Sequence, residues 1–175
     1  MKSTGKTGLA VGLFAGWRYT EIGGRELDRK FIMNDPEYAN SQIILGGANF
    51  GCGSSREHAV WALAEYGFRA VLAPSFAPIF ARNCTRNGIL PAVLDAEEIL
   101  KIAESGASVS IDLAEQSISI KNGDSWSFPI DEEAKAMLLE GLDAIDLSLQ
   151  MADDIAAWQQ ADRAARPWIY LGTSI

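Results

Sequence analysis

Ten residues, Asn49-Phe50-Gly51-Cys52-Gly53-Ser54-Ser55-Arg56-Glu57-His58, constrain this chain more than any other stretch. An apolar run, Ile43-Ile44-Leu45, leads into them, and a helical pattern from Ala59 to Tyr66 leaves them. The order is strand, glycine-rich turn, helix start, the unit from which α/β sheets are built. Gly51 and Gly53 permit positive φ and close approach of a ligand to the backbone. Ser54 followed three residues later by Glu57 reads as a capping box, which puts the first free helix N–H groups near Ser55 and Arg56. Those N–H groups, the positive end of the helix dipole and the Arg56 guanidinium converge on one spot that favours a carboxylate or phosphate. Glycine turns before Ser-capped helices are also common where no ligand binds. Two serines and an arginine crowded at the C-terminal end of a strand, where open α/β sheets bind ligands, favour the anion site.

The residues that follow repeat the rhythm. Arg69 to Ala73 reads as a second strand stopped by Pro74, and Pro78 suits the first turn of a helix from about Ile79 to Arg86, with Asn87-Gly88 as its C-cap. Ile89 to Leu94 reads as a third strand, so part of the sheet is expected to be parallel. Asp95 and Glu98 form another capping pattern for a helix ended by Gly106. Val109 to Asp112 and Ile118 to Lys121 alternate apolar and polar residues as half-buried hairpin strands do, with a turn at Asn122-Gly123-Asp124 and a third short strand at Trp126 and Phe128. Asp131 caps a helix through Leu139 closed by Gly141, and Asp153 starts a last helix with Ile155 and Trp158 on one face. The part before about Asp95 and the hairpin-rich part after it are expected to share a core. Before the signature, Leu9 to Tyr19 suggests a bent segment or short helix with an aromatic anchor among Leu13, Phe14 and Trp17. The apolar end, Pro167 to Leu171, either docks on its own domain or faces a partner.

Composition serves mainly to exclude. A net charge of −8 argues against a broad nucleic-acid or anionic-membrane surface. No apolar stretch is long enough to span a bilayer and no secretory signal is evident, so a cytoplasmic protein is expected. Ser3-Thr4-Gly5-Lys6-Thr7 lacks the upstream glycine of a P-loop, which rejects nucleotide binding there. Two cysteines, Cys52 and Cys84, make neither a disulfide framework nor a zinc site, and an iron–sulfur cluster needs more thiolates than they supply. Cys52 is expected to be a small buried hydrophobe packing the turn in preference to a reactive thiol. His58 is expected to make a structural hydrogen bond in preference to serving as a general acid, and Arg82 and Arg86 are read as a solvated face.

Asn49 to Trp61, NFGCGSSREHAVW, resembles the signature of the small subunit of 3-isopropylmalate dehydratase, the swivelling domain of the aconitase family. The likeness continues through Ala64 to Arg69, Ala73 to Ala77, Asn83-Cys84 and Asn87 to Pro91. It is also visible in Gly8, Leu13-Phe14 and Trp17 to Tyr19, and late in Gly141 to Asp143 and Leu147 to Gln150, so it covers most of the chain. The resemblance implies an α/β fold: one aconitase-type swivelling β/β/α domain over residues 1–175. Its mixed sheet would have a parallel βαβ core and C-terminal hairpin strands flanked by helices. Small subunits of the family usually begin with a strand and an Asp-Thr-Asp loop, and this chain starts beyond that point, so the leader strand and loop are expected to be absent.

The implied chemistry moves a hydroxyl group by dehydrating and rehydrating a hydroxy-dicarboxylate. In the family a [4Fe–4S] cluster on a separate large subunit acts on the departing hydroxyl, and the swivelling domain supplies a serine base. Matched by position, the base is Ser54, while Ser55 and Arg56 match carboxylate-binding residues. Lys6 stands where the family usually has an arginine that grips substrate. The resemblance therefore implies a cytoplasmic small subunit that pairs with a large subunit and isomerises 2-isopropylmalate to 3-isopropylmalate in leucine biosynthesis, holding no metal of its own. Two alternatives stay open: a non-catalytic or diverged paralogue that still pairs or binds a dicarboxylate, and a small subunit acting on homoaconitate or methylated malates. The missing leader and Lys6 favour the first alternative; the intact Ser54-Ser55-Arg56 opposes it.

Overall fold

The computed structural model describes residues 5, 7–21, 23–53, 56–121 and 123–170. The chain divides into two compact units, Met1–Gly141 and Leu142–Ile175.

The first unit opens with a 3-10 turn, Ala10–Gly12, and a short helix α1, Ala15–Arg18. Phe14 joins them in the left-handed region at φ 51°, which is the bend expected from the sequence. Leu13 is 8% exposed and sits in the core, and Phe14 packs against it half-buried as the aromatic anchor, whereas Trp17 is 67% exposed. Two further 3-10 turns, Ile32–Asn34 and Pro36–Tyr38, carry the chain to the sheet.

There β1 (Ile43–Leu45), α2 (Glu57–Tyr66), β2 (Ala70–Ala73), α3 (Pro78–Arg86) and β3 (Leu90–Val93) follow one another, and the three strands pair in parallel in the order β1-β2-β3. Central β2 is buried at all four residues, because a parallel strand must be covered on both faces. Side chains alternate between those faces. Val71 joins Val60 and Leu63 of α2 and Phe80 and Cys84 of α3 on one side. Ala70 and Leu72 join Ile99 and Ile102 of α4 (Ala96–Ser105), together with Ile118 and Phe128, on the other. The Asp95–Glu98 capping box at the start of α4 and the left-handed Gly106 at its end are both formed.

Strands β4 (Val109–Asp112), β5 (Ser117–Ile120) and β6 (Ser125–Ser127) pair antiparallel, and α5 (Glu132–Glu140) follows, capped by Asp131. Parallel and antiparallel strands thus make two three-stranded sheets where one mixed sheet was expected. They share a core nonetheless, since Ile118 of β5 and Phe128 pack with Leu72 and Leu90 of the parallel sheet.

The second unit contains α6 (Ala144–Gln150), α7 (Ala152–Ala165) and a 3-10 turn, Pro167–Ile169. Helix α6 has no counterpart in the sequence reading; it starts from a capping box between Asp143 and Asp146. Asp162 is 9% exposed, pairs with Arg166 and accepts a hydrogen bond from the Tyr170 hydroxyl at 2.6 Å. Tyr170 thereby docks on its own unit, while Trp168 stays 64% exposed. Among the described residues no helix is long and apolar enough to cross a membrane.

Candidate active site

The signature loop leaves the C-terminal end of β1 and is stitched to the loop that leaves β2. Gly46 N–H donates to Leu72 O at 2.8 Å, extending the strand pairing by one step. Asn49, left-handed at φ 57°, donates its N–H to Ser75 Oγ at 2.7 Å. Phe50 N–H donates to Ser75 O and Ala77 N–H donates to Phe50 O, both at 2.9 Å, which makes an isolated parallel bridge between Phe50 and Phe76. Beneath the loop the rings of Phe50 and Phe80 lie 5.5 Å apart and those of Phe50 and Phe76 6.3 Å apart, both edge to face. Gly51 rests on this cluster at φ 79°, and a Cβ there would collide with the Phe80 side chain. The loop is therefore a fixed platform at the edge where such sheets bind ligands.

Helix α2 starts two residues later than a Ser54 cap would place it. Arg56 is extended (φ −82°, ψ 144°) and is the N-cap, which puts Glu57 at the first helical position instead of the third. The Glu57 carboxylate accepts a hydrogen bond from Asn87 Nδ2 at 3.2 Å, from the end of α3. Ala59 N–H closes the first turn on Arg56 O at 3.0 Å. Of the four site residues read from the sequence, the structure places one. Arg56 lies exposed at the mouth of α2, and Ser54, Ser55 and Lys6 lie outside the described residues.

Three neighbouring residues refine the sequence reading. Cys52 is exposed, so it does not pack the turn; Phe80 does that work under Gly51. The buried cysteine is Cys84, whose thiol burial pushes up to about 12. His58 is exposed and its ring packs on Trp61 with centroids 4.7 Å apart.

Glu65 carries a role that the sequence did not announce. Its carboxylate accepts from three successive backbone N–H groups, Gly8 and Leu9 at 2.6 Å and Ala10 at 2.8 Å. These bonds, that from Gly8 foremost, hold its carboxyl below the usual glutamate range against the opposing pull of desolvation. The Arg18 guanidinium donates to Ala10 O at 2.8 Å and lies over the Tyr66 ring at 5.0 Å. The segment that follows Lys6 is thus buckled to the last turn of α2. The only signal for it was Glu65 facing a segment 57 positions earlier, a distance local patterns do not report.

Among the described residues no three His, Cys, Asp or Glu side chains gather in a way that would hold a metal ion. What the site offers is a guanidinium at a helix N-terminus, an arrangement that binds carboxylate or phosphate.

A parallel βαβαβ sheet carries this loop at its C-terminal edge, and residues 1–97 match the family model described as the aconitase C-terminal domain, which sets the class of the domain. Residues 97–132 match the model described as LeuD_N, and residues 145–170 match that of the C-terminal domain of the 3-isopropylmalate dehydratase small subunit. The 3-isopropylmalate dehydratase small subunit of Cupriavidus necator is 48% identical over 176 residues, covering 97% of this chain and 85% of that one. The protein of the same name from Neisseria meningitidis serogroup C (strain 053442) is 46% identical over 184 residues, covering 98% and 86%. A crystal structure of 3-isopropylmalate dehydratase from Methanocaldococcus jannaschii superposes with a TM-score of 0.54 at 32% identity, over 75% of each chain. The chain belongs to the 3-isopropylmalate dehydratase small-subunit family.

Proposed function

We propose that this chain is the small subunit of a hydro-lyase that interconverts 2-isopropylmalate and 3-isopropylmalate in leucine biosynthesis, working in the cytoplasm with a large-subunit partner. The observations that support the reading are Gly51 seated against Phe80 and the exposed Arg56 at the N-cap of α2, on either side of the signature's two serines.

Ser54, held as its alkoxide, is the base: it takes a proton from the carbon beside a substrate carboxylate and becomes the neutral hydroxyl while hydroxide leaves the neighbouring carbon; in rehydration the hydroxide adds at the other carbon and Ser54 returns the proton, regenerating the alkoxide. Lewis acidity toward that hydroxyl is supplied by a [4Fe–4S] cluster carried by the large subunit. A serine hydroxyl is a poor base unless its anion is stabilised, and helix-terminal N–H groups with the Arg56 guanidinium provide fixed positive charge for that purpose. Arg56 also suits a carboxylate better than a lysine would, because its planar fork can donate two parallel bonds. Ser55 and Lys6 complete the grip on the two substrate carboxylates.

The test is anaerobic reconstitution with the large subunit, following 2-isopropylmalate by nuclear magnetic resonance. Appearance of 3-isopropylmalate only when both polypeptides are present supports the reading. No conversion by a complex that has assembled with its cluster intact overturns it.

A further inference from the structure

Thirty residues beyond the first turn of α2, Asn87 closes α3 and reaches back to that turn. Its side chain makes three hydrogen bonds. Trp61 Nε1 donates to Asn87 Oδ1 at 2.9 Å, and Asn87 Nδ2 donates to Glu57 Oε1 at 3.2 Å and to Asn83 O at 2.8 Å. These partners fix the amide without ambiguity. Indole N–H can only donate and an ionised carboxylate can only accept, so oxygen must face Trp61 and nitrogen must face Glu57. Both amide hydrogens are used, and only one of the two possible orientations satisfies all three partners.

Glu57 and Trp61 stand four apart, one above the other on a single face of α2. An amide that grips both holds a face of the helix, not a point on it, and so resists rotation about the helix axis. Asn87 is itself anchored, its N–H donating to the carbonyl of Cys84, a residue with no exposed surface. Arg56 immediately precedes Glu57 and is extended, and its carbonyl accepts the Ala59 N–H that closes the first turn. Any rotation or fraying at Glu57 therefore redirects Arg56.

We propose that Asn87 is a positioning residue that sets the direction of Arg56 by clamping Glu57 and Trp61 across the α2–α3 interface. The proposal rests on the functional reading above for its kinetic consequence, but the clamp itself belongs to this chain alone.

A donor–acceptor exchange tests it. N87D keeps the oxygen toward Trp61 but turns a carboxylate oxygen on Glu57, so the clamp becomes repulsive. Adding E57Q returns the bond to residue 57 with donor and acceptor swapped, while the bond to Asn83 O, within α3 and not part of the clamp on α2, stays lost in both variants. In the reconstituted complex, KM for 2-isopropylmalate is expected to rise about tenfold in N87D with kcat changed less, one lost charge-assisted bond being worth roughly that factor. The N87D/E57Q double variant should return to within about threefold of the starting value, a rescue that a purely structural role would not give. A KM in N87D within twofold of the unaltered complex, or no recovery in the double variant, overturns the proposal. Amide exchange of Ala59 in the full chain provides a readout that needs no turnover. Faster exchange in N87D, slowed again in the double variant, supports the clamp even if the substrate reading fails, and unchanged exchange refutes the clamp whatever the kinetics.

Discussion

Gly51 lies flat against the ring of Phe80, at φ 79°, with no space for a side chain between them. One contact joins the turn at Gly51 to the helix that follows β2, so the backbone at Gly51 is confined by a residue outside the signature. Replacing Gly51 with alanine imposes two costs, left-handed strain and a collision with a buried ring, that together amount to roughly 2–5 kcal/mol. Urea denaturation of G51A should show a loss in that range, whereas a loss below about 0.5 kcal/mol, typical of surface changes, would mean that the platform is soft.

Glu65 makes the N-terminal segment sensitive to acid. Its carboxyl is held below the ordinary value of 4.5 in the folded chain, so the ionised form is the one that folding favours. The contribution is complete above 4.5 and is lost as pH falls through the lower folded value. Amide exchange at Gly8, Leu9 and Ala10 should be slow near neutral pH and accelerate only well into acid. In E65Q, which cannot accept three N–H bonds as a carboxylate does, the same amides should exchange quickly at both. Equal protection in E65Q and the unaltered chain would remove the buckle from the account.

The two thiols are predicted to behave oppositely. Cys52 is exposed, whereas Cys84 is buried with its thiol pushed up to about 12 by desolvation. Because the thiolate is the nucleophile, native protein treated with iodoacetamide at neutral pH should be alkylated at Cys52 and spared at Cys84, and denaturant should expose both. Peptide mass spectrometry distinguishes them; native labelling of Cys84 would contradict the packing of α3.

In the C-terminal unit Tyr170 should resist ionisation. Its hydroxyl donates to Asp162, and that bond first, then burial, then the Asp162 charge, raise it from 10.0. The neutral hydroxyl is favoured on folding, so its contribution is present below 10.0 and disappears as pH rises through the higher folded value. Ultraviolet difference titration, with Y170F to assign the signal, should find a late-titrating tyrosine that moves back toward the ordinary range in D162N. A signal unmoved by D162N would show that the pair does not hold the turn after α7 in place.

Elements whose stop and start signals are local were legible. Pro78 opens α3 and Asn87-Gly88 closes it, and Asp95, Glu98 and Gly106 bound α4, as patterning alone indicated. The start of α2 was not legible: the helix begins from Arg56 as N-cap, and the Glu57 carboxylate bonds Asn87 from 30 residues away, a partner no local pattern reports. Helix α6 escaped notice because its box uses Asp146 where glutamate or glutamine is usual, over only seven residues. Alternation identified the hairpin strands but could not say that they form their own sheet, since sheet membership depends on pairing and not on period. For the site the division is the same. The signature named Ser54, Ser55 and Arg56, whereas the distant residues that contact its flanks, Phe80 at Gly51, Asn87 at Glu57 and Glu65 at Gly8, show themselves only in three dimensions.

If the Ser54 alkoxide removes the substrate proton, steady-state turnover of the reconstituted complex carrying S54A shows it most directly. Loss of a positioned base should lower kcat at least about 10²-fold while KM changes little, because the carboxylate grip of Arg56 is untouched. An S54A complex that isomerises 2-isopropylmalate at the unaltered rate would contradict the account.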